Sequence, residues 1–304
     1  MKKLTSILLA IAMLVTVLTF AGCQSEVTPE STAPSTSSDA APDSAADEGS
    51  SAAEEVNLEG KLTLNGSTSM TQVCSALGEA FMAKYEGVTV EKASTGSGAA
   101  VTAVQDGTAL IGDLSRALND DENPDNFTAV TIALDGIAVV VNKDNAVEDL
   151  THEQIAKIFT GEITNWSEVG GADADIVLIG RETGSGTRDG FEAIFEVEDA
   201  CQYDAELQET GNVVSRVGSD ANAIGYVSLA SVSGDIKALK VDGVEATEEN
   251  VANGDYVVQR PFVQIFRKGL DNDLVNAWFA FLASDEGQQI IADQKLVTVD
   301  IEVK

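Results

Sequence analysis

The sequence predicts an α/β fold built as two domains with largely parallel strand pairing, and three observations predict it. From Leu58 onward, short apolar, β-branched runs alternate with amphipathic stretches, the strand–helix–strand rhythm of layered α/β proteins. A length of 304 residues suits about two domains. Hydrophobic content of 44% beside charged content of 22% is that of a globular protein.

The chain starts as an export signal. Lys2 and Lys3 precede an apolar run from Leu4 to Phe20, followed by Ala21, Gly22 and Cys23, a basic start, short apolar core and small residues in order. The cysteine after Ala-Gly resembles the lipobox of bacterial lipoproteins, with Phe20 where leucine is usual. The resemblance implies cleavage after residue 22 and acylation of Cys23. An ordinary signal peptide or a single membrane anchor is the alternative, and all of these place the working part outside the cytoplasm. Residues 23–57 then form a tether rich in Ser, Ala, Pro and acids, without a basic or aromatic residue. Such a segment buries too little apolar surface to offset the entropy of ordering.

The elements of the folded part follow in order. KLTLNG reads as a strand ending in a turn. In TQVCSALGEAFMAKY, Val73, Leu77, Phe81 and Tyr85 share one helical face. GVTVEKAS is a second strand by alternation, GAAVTAVQDG a short helix, and TALIGDLS a third strand. AVTIALDGIAVVVN reads as one or two buried strands. THEQIAKIFTG has Thr151 and Gln154 at capping-box spacing. DIVLIGR is a strand and GTRDGFEAIFEV a helix. In the closing stretch DLVNAWFAFLASDEGQQIIADQ, Leu274, Trp278, Phe281 and Leu282 lie at helical spacing and are core residues.

Charge and rare residues narrow the chemistry. Fifty acidic residues against 18 basic ones give a net charge of −32, which argues against nucleic acid, whose phosphates need basic neutralisation. Apart from Cys23 there are Cys74 and Cys201, which one disulfide would join only if the fold brings them together. One histidine, His152, and no Cys/His cluster argue against a zinc site. A Ser–His–acid hydrolase would have to use His152, expected to be solvated at a helix start.

Three loops of Gly, Ser and Thr each follow a strand and open a helix: NGSTSM (65–70), STGSGAA (94–100) and RETGSGT (181–187). Free N–H groups at helix N-termini, hydroxyl donors and the helix dipole together favour an anion. Open α/β folds gather strand ends at a common crevice. None of the three is a phosphate-binding nucleotide loop or a GxSxG elbow. Arg181 adds a guanidinium fork matched to a tetrahedral oxyanion, whereas Arg188 is expected in a surface ion pair.

LTHEQIAKIFTGEITNWSEVGG followed by IVLIGRETGSGTRDGF resembles the phosphate-binding proteins of bacterial phosphate ABC transporters. NGSTSM, STGSGAA, IGDLSR, ALDGIAVVVN, NAIGYVS and SDEGQQI fall in that family's order, so the resemblance covers residues 60 to 300. It implies a two-domain, periplasmic-binding-protein-like (type II) receptor with the ligand cleft between domains. Domain I would span 58–135 plus 257–304 and domain II 136–256, with crossings near Leu134–Gly136 and Val257–Pro261. It further implies a lipid-anchored, monomeric, non-catalytic receptor without cofactor or metal on the outer face of the cell membrane. Inorganic phosphate would pass from it to an ABC permease and its ATPase.

Carried over by motif, phosphate would meet Ser67, Thr68, Ser69 and Met70 in the first loop and Ser97 in the second. In the third it would meet Arg181, Ser185, Gly186 and Thr187. The family usually carries an acid in a D-[IF]-G motif, where this chain has Leu110. Asp113, beside Ser115 and Arg116, is expected to replace it if the loop turns inward, with Arg116 pairing with it and donating to the ligand. Otherwise Asp113 is a surface acid. The alternatives to phosphate reception are another oxyanion such as sulfate, a secreted serine hydrolase or phosphatase, and an adhesin or sensor that lost the ligand.

Overall fold

A computed structural model of the chain describes residues 57–303. The signal over 1–22, the acylation at Cys23 and the tether up to residue 56 lie outside the described residues.

The elements run β1 (Glu59–Gly66), α1 (Thr71–Lys84), β2 (Gly87–Ser94), α2 (Ser97–Asp106), β3 (Ile111–Leu114), β4 (Phe127–Asn142), β5 (Asp149–Leu150), α3 (His152–Phe159), β6 (Val177–Arg181) and α4 (Gly186–Ile194). They continue with β7 (Ala205–Leu207), α5 (Thr210–Gly218), β8 (Ala223–Ser228), β9 (Ile236–Ala238), β10 (Lys240–Val241), α6 (Glu248–Ala252), β11 (Gln259–Arg267), α7 (Asp273–Leu282), α8 (Asp285–Asp293) and β12 (Val297–Thr298). The capping box forms as its spacing predicts: Thr151 accepts from Gln154 N–H while the Gln154 side chain accepts from Thr151 N–H. The closing apolar stretch is two helices rather than one, because Ser284 caps a new helix through Gly287 N–H.

The main path of the sheet is β2-β1-β3-β11-β4-β8-β6-β7. The expectation of largely parallel pairing is corrected to a mixed sheet. β1 pairs in parallel with β2 and β3, and β6 with β7 and β8. β11 is antiparallel to β3 and β4, and β4 is antiparallel to β8, β9 and β12. The cause is β4, a single strand of 16 residues. Its first part pairs with β11 up to Gly136↔Gln259, and from Ile137 onward it pairs with β8. Its apolar, β-branched run suits burial on both faces.

Two large apolar cores result. One draws on 58–133 and 262–296, with Leu62, Leu77, Phe81, Phe262 and Trp278 fully buried. Phe81 meets Trp278 edge-on, ring centroids 5.3 Å apart, a favourable aromatic geometry. A satellite cluster packs α2 against β3 and β11 through Val104, Leu114 and Ile265. The other core draws on 137–258, centred on Phe191 stacked on Tyr226 at 4.1 Å. β4 and β11 lead from one core to the other, side by side at Asp135↔Arg260.

Candidate functional site

Hydroxyl-bearing loops from the two cores meet face to face. At the end of β1, a Cβ on Gly66 would lie 2.1 Å from the Asp113 carbonyl oxygen, so only glycine lets β1 approach β3 here. The chain then turns, with Ser67 N–H donating to Asp113 O at 2.8 Å and Ser67 Oγ accepting from Ser69 N–H. Ser67 Oγ donates to Ser115 Oγ at 2.9 Å. Ser97, the first residue of α2, accepts from Ser115 N–H at 3.1 Å. Ser67, Ser69, Ser97 and Ser115 are all buried.

The third loop closes onto these from the other side. Ser185 caps α4 through Arg188 N–H. Thr187 Oγ1 lies 2.8 Å from Ser69 Oγ, and Gly98 N–H donates to Gly184 O at 3.1 Å. A Cβ on Gly186 would sit 2.4 Å from Ser97 Oγ and 2.7 Å from Ser115 Oγ. The N-termini of α2 and α4 therefore converge with a ring of hydroxyls, an arrangement of N–H and O–H donors suited to a small anion.

Arg181 ends β6 and is buried, with 2% of its side chain exposed. Glu182 accepts from both its Nε and Nη2, each at 3.0 Å, and the Leu207 and Gln208 carbonyls fix the same edge. Nη1 donates to Thr210 Oγ1 at 3.2 Å. The bidentate edge of the guanidinium is thus committed within the protein and holds the group rigidly, and Nη1 is the end that faces the hydroxyls.

Thr210 is a contributor that sequence reasoning missed. It opens α5, and its hydroxyl lies 3.0 Å from Thr68 Oγ1 and 3.3 Å from Ser69 Oγ. The available signal was ETGNVVS (209–215), a fourth strand-to-helix turn in which Thr-Gly opens the helix. Beside it a groove of about 450 Å³ opens, lined by Thr68, Ser69, Gln72, Thr210 and Ser231 among others.

Other expectations are corrected. Asp113 is neither on the surface nor on an inward-turning loop. It lies within β3, fully buried, accepting from Gln264 Nε2 at 2.8 Å, with Lys92 Nζ 3.8 Å from its second oxygen. Burial pushes its pKa up, opposed by Lys92 and Gln264. Gln264 is itself fixed by Trp278 Nε1–H at 2.8 Å. Leu110 precedes β3 at the far end from the hydroxyls, its N–H bonded to Thr63. At about 3.3 Å per residue, an acid there would stand well short of Ser115.

Arg116 does not pair with Asp113. Its Nε donates to Asp189 of α4 at 2.7 Å and its other nitrogens to Glu122 and the Ala117 carbonyl. It thus ties the loop after β3 to α4. Arg188 is half-buried rather than on the surface, bonded to Glu192 and the Arg181 carbonyl and lying 5.0 Å over the Tyr203 ring. His152 is not simply solvated. Its Nε2 lies 2.9 Å from the Ile194 carbonyl and its ring packs on Phe195. No serine contacts it among its described hydrogen bonds. Cys74 and Cys201 are both free thiols. Among the described residues, no group of His, Cys, Asp and Glu has the arrangement of a metal site.

Comparison with known proteins agrees with this geometry. A family profile described as the PBP superfamily domain matches residues 32–286. The phosphate-binding protein PstS of Bacillus subtilis (strain 168) is 32% identical over 254 residues, covering 82% of this chain and 84% of that one. A Clostridium perfringens substrate-binding protein with bound phosphate is 41% identical in its crystal structure, with a TM-score of 0.77, covering 79% of this chain and all of that one. An ABC-type phosphate transport receptor from Vibrio cholerae is 30% identical with a TM-score of 0.67, covering 78% and 100%. With its mixed-sheet α/β fold, its convergent hydroxyl loops and these likenesses, the chain belongs to the PstS family of phosphate-binding proteins within the PBP superfamily.

Proposed function

We propose that this chain is an extracellular receptor that holds inorganic phosphate between its two cores and delivers it to an ABC permease and ATPase for import. The cores act as its domains, 58–135 with 257–304 and 136–256, hinged where β4 and β11 cross. Ser67, Thr68, Ser69 and the Met70 N–H, with Ser97 and Ser115, form one jaw. Arg181, Ser185, Gly186, Thr187 and Thr210 form the other. Arg116 latches the jaws through Asp189, and Asp113 braces the first loop from behind. The protein is a monomer without catalytic activity, anchored by an acylated Cys23.

One observation carries this reading: hydroxyls from both cores meet beside the N-termini of two helices and a buried, rigid arginine. Micromolar binding needs about 8 kcal/mol, and a few charge-assisted bonds of roughly 1.5–3 kcal/mol each supply it. Hinge closure around a ligand is an established switching mode. A second oxyanion, sulfate, is favoured by the bonding of both Glu182 oxygens to Arg181. Phosphate is favoured by the buried Asp113 Oδ2, which has no hydrogen-bond partner and remains as an acceptor for the proton that phosphate carries and sulfate lacks.

Calorimetric titration of the anion-stripped protein with phosphate, and separately with sulfate, tests both. Tight one-to-one binding of phosphate, lost at least tenfold in Arg181→Ala, is the expected result. Binding of sulfate instead reassigns the ligand, and silence toward both ends the receptor reading.

A further inference from the structure

β4 and β11 place an oppositely charged pair where the chain passes between the cores. Asp135 and Arg260 face each other across the ladder. Arg260 Nη2 donates to Asp135 Oδ2 at 3.0 Å, and Ser228 Oγ donates to Asp135 Oδ1 at 2.8 Å. Both side chains are 2% exposed or less. The Asp135 carboxylate is satisfied, but Arg260 Nη1 is buried with no hydrogen-bond partner. An orphaned guanidinium N–H inside a protein is costly and calls for an explanation.

The surroundings of Arg260 supply one. Its stem runs along α4, where a Cβ on Gly190 would meet Arg260 Cδ at 3.6 Å. Gly190 stands one helical turn beyond Gly186, whose N-terminal end of α4 faces the hydroxyl ring. Arg260 is also near enough to Arg181 for their charges to repel. Burial pushes its pKa down, Asp135 opposes that shift, and Arg181 adds to it. The charged and titratable groups bearing on it are Asp135 on β4, Arg181 on β6 and Tyr226 on β8. Guanidinium stays protonated in such settings.

We propose that Arg260 is a second cation of the anion site, oriented by Asp135 so that its uncommitted Nη1 end serves the bound oxyanion. The inference rests on the receptor reading above. The Asp135–Arg260 pair is then an oriented dipole, positive toward the cleft, and favours the more highly charged form of the ligand. The two carboxylates beside these arginines are paired within the protein, Asp135 with Arg260 and Ser228 and Glu182 with Arg181.

The test compares the parent, Asp135→Asn and the neutral pair Asp135→Asn/Arg260→Gln in phosphate titrations across the second ionisation of phosphate. The neutral pair keeps net charge and avoids an unpaired buried ion. It should bind about tenfold more weakly, and its affinity should rise less steeply with pH than the parent's. Asp135→Asn frees Arg260 from its counter-charge and should bind several-fold more tightly. A merely structural pair predicts weakening in both variants with an unaltered pH profile, and that result overturns the proposal. So does unchanged affinity in the neutral pair. If Asp135→Asn does not fold, the neutral pair decides alone; if the neutral pair does not, the sign of the Asp135→Asn change decides. Failure of the parent itself to bind phosphate would instead remove the receptor reading, which keeps the two failures apart.

Discussion

Gly186→Ala adds one methyl group where the third loop meets the serines of the first core. Its Cβ would lie 2.4 Å from Ser97 Oγ, 2.7 Å from Ser115 Oγ and 3.1 Å from Ser97 Cβ, where ordinary contact begins at 3.4 Å. The serine loops would have to retreat by about 1 Å, and overpacking of this kind costs roughly 1–3 kcal/mol. At tenfold per 1.4 kcal/mol, the phosphate dissociation constant should rise about 5- to 150-fold. Helix α4 itself does not suffer, because alanine is a better helix former than glycine by up to about 1 kcal/mol. Calorimetric titration should therefore show weakened binding, while the melting temperature without phosphate equals or exceeds the parent's. An affinity within twofold of the parent's refutes the argument, since the loops would then not meet in the liganded protein. A lowered melting temperature would refute it too, by tracing the weakening to general destabilisation.

Other changes probe separate parts. Thr210→Val keeps the shape but removes the hydroxyl facing Thr68, Ser69 and Arg181. At about 1 kcal/mol per net hydrogen bond, phosphate binding should weaken roughly fivefold, and an unaltered titration would exclude Thr210 from the site. Asp113→Asn addresses linkage. The folded-state pKa of Asp113 is raised above its usual 3.8, so its contribution to stability is fully present below that value and is lost as pH rises through the raised one. The asparagine variant should gain stability over the parent as pH rises from 4 toward neutrality in urea unfolding; a pH-independent difference would sink the idea. Gly180→Ala would drive a methyl to 2.4 Å from the Tyr203 ring. It should destabilise the fold by about 1–3 kcal/mol, and an unmoved denaturation midpoint would show that the ring yields freely.

What the sequence made legible was local. The Ser/Thr/Gly loops after β1, β2 and β6 were visible because strand ends and helix caps share a short composition signal, and Arg181 stood inside one of them. Around Thr210 that signal was weaker, confined to the Thr-Gly at the helix start: Glu209 precedes α5 without a side-chain cap, and its loop has no serine run. Strand direction was invisible, since the apolar pattern of β4 reads alike in either orientation and its antiparallel partners lie far along the chain. Asp113 was ambiguous because pattern alone does not say which end of β3 faces the hydroxyls. The partners of Arg116 and Arg260, Asp189 and Asp135, are 73 and 125 residues away. The only trace of the latter pair was a lone acid within an apolar strand and an arginine before Pro261.

The sharing of β4 between two cores also dictates an order of assembly. The buried members of the second core all lie within residues 137–258, so they have all been synthesised once Val258 has been made, with only Val297 among its flanking apolar residues still to come. The other core needs Phe262, Trp278 and Ile291 to join Leu62 and Phe81, contacts of very high sequence separation that form slowly. Until β11 arrives, the first half of β4 and the adjoining edge of β3 lack their antiparallel partner, and unpaired edges of this kind invite aggregation. An exported chain of this design must remain free of its neighbours until its last fifty residues are across the membrane, roughly the time of late translocation rather than of early synthesis. The strand that the two cores share is thus also the reason that one of them must wait for the other.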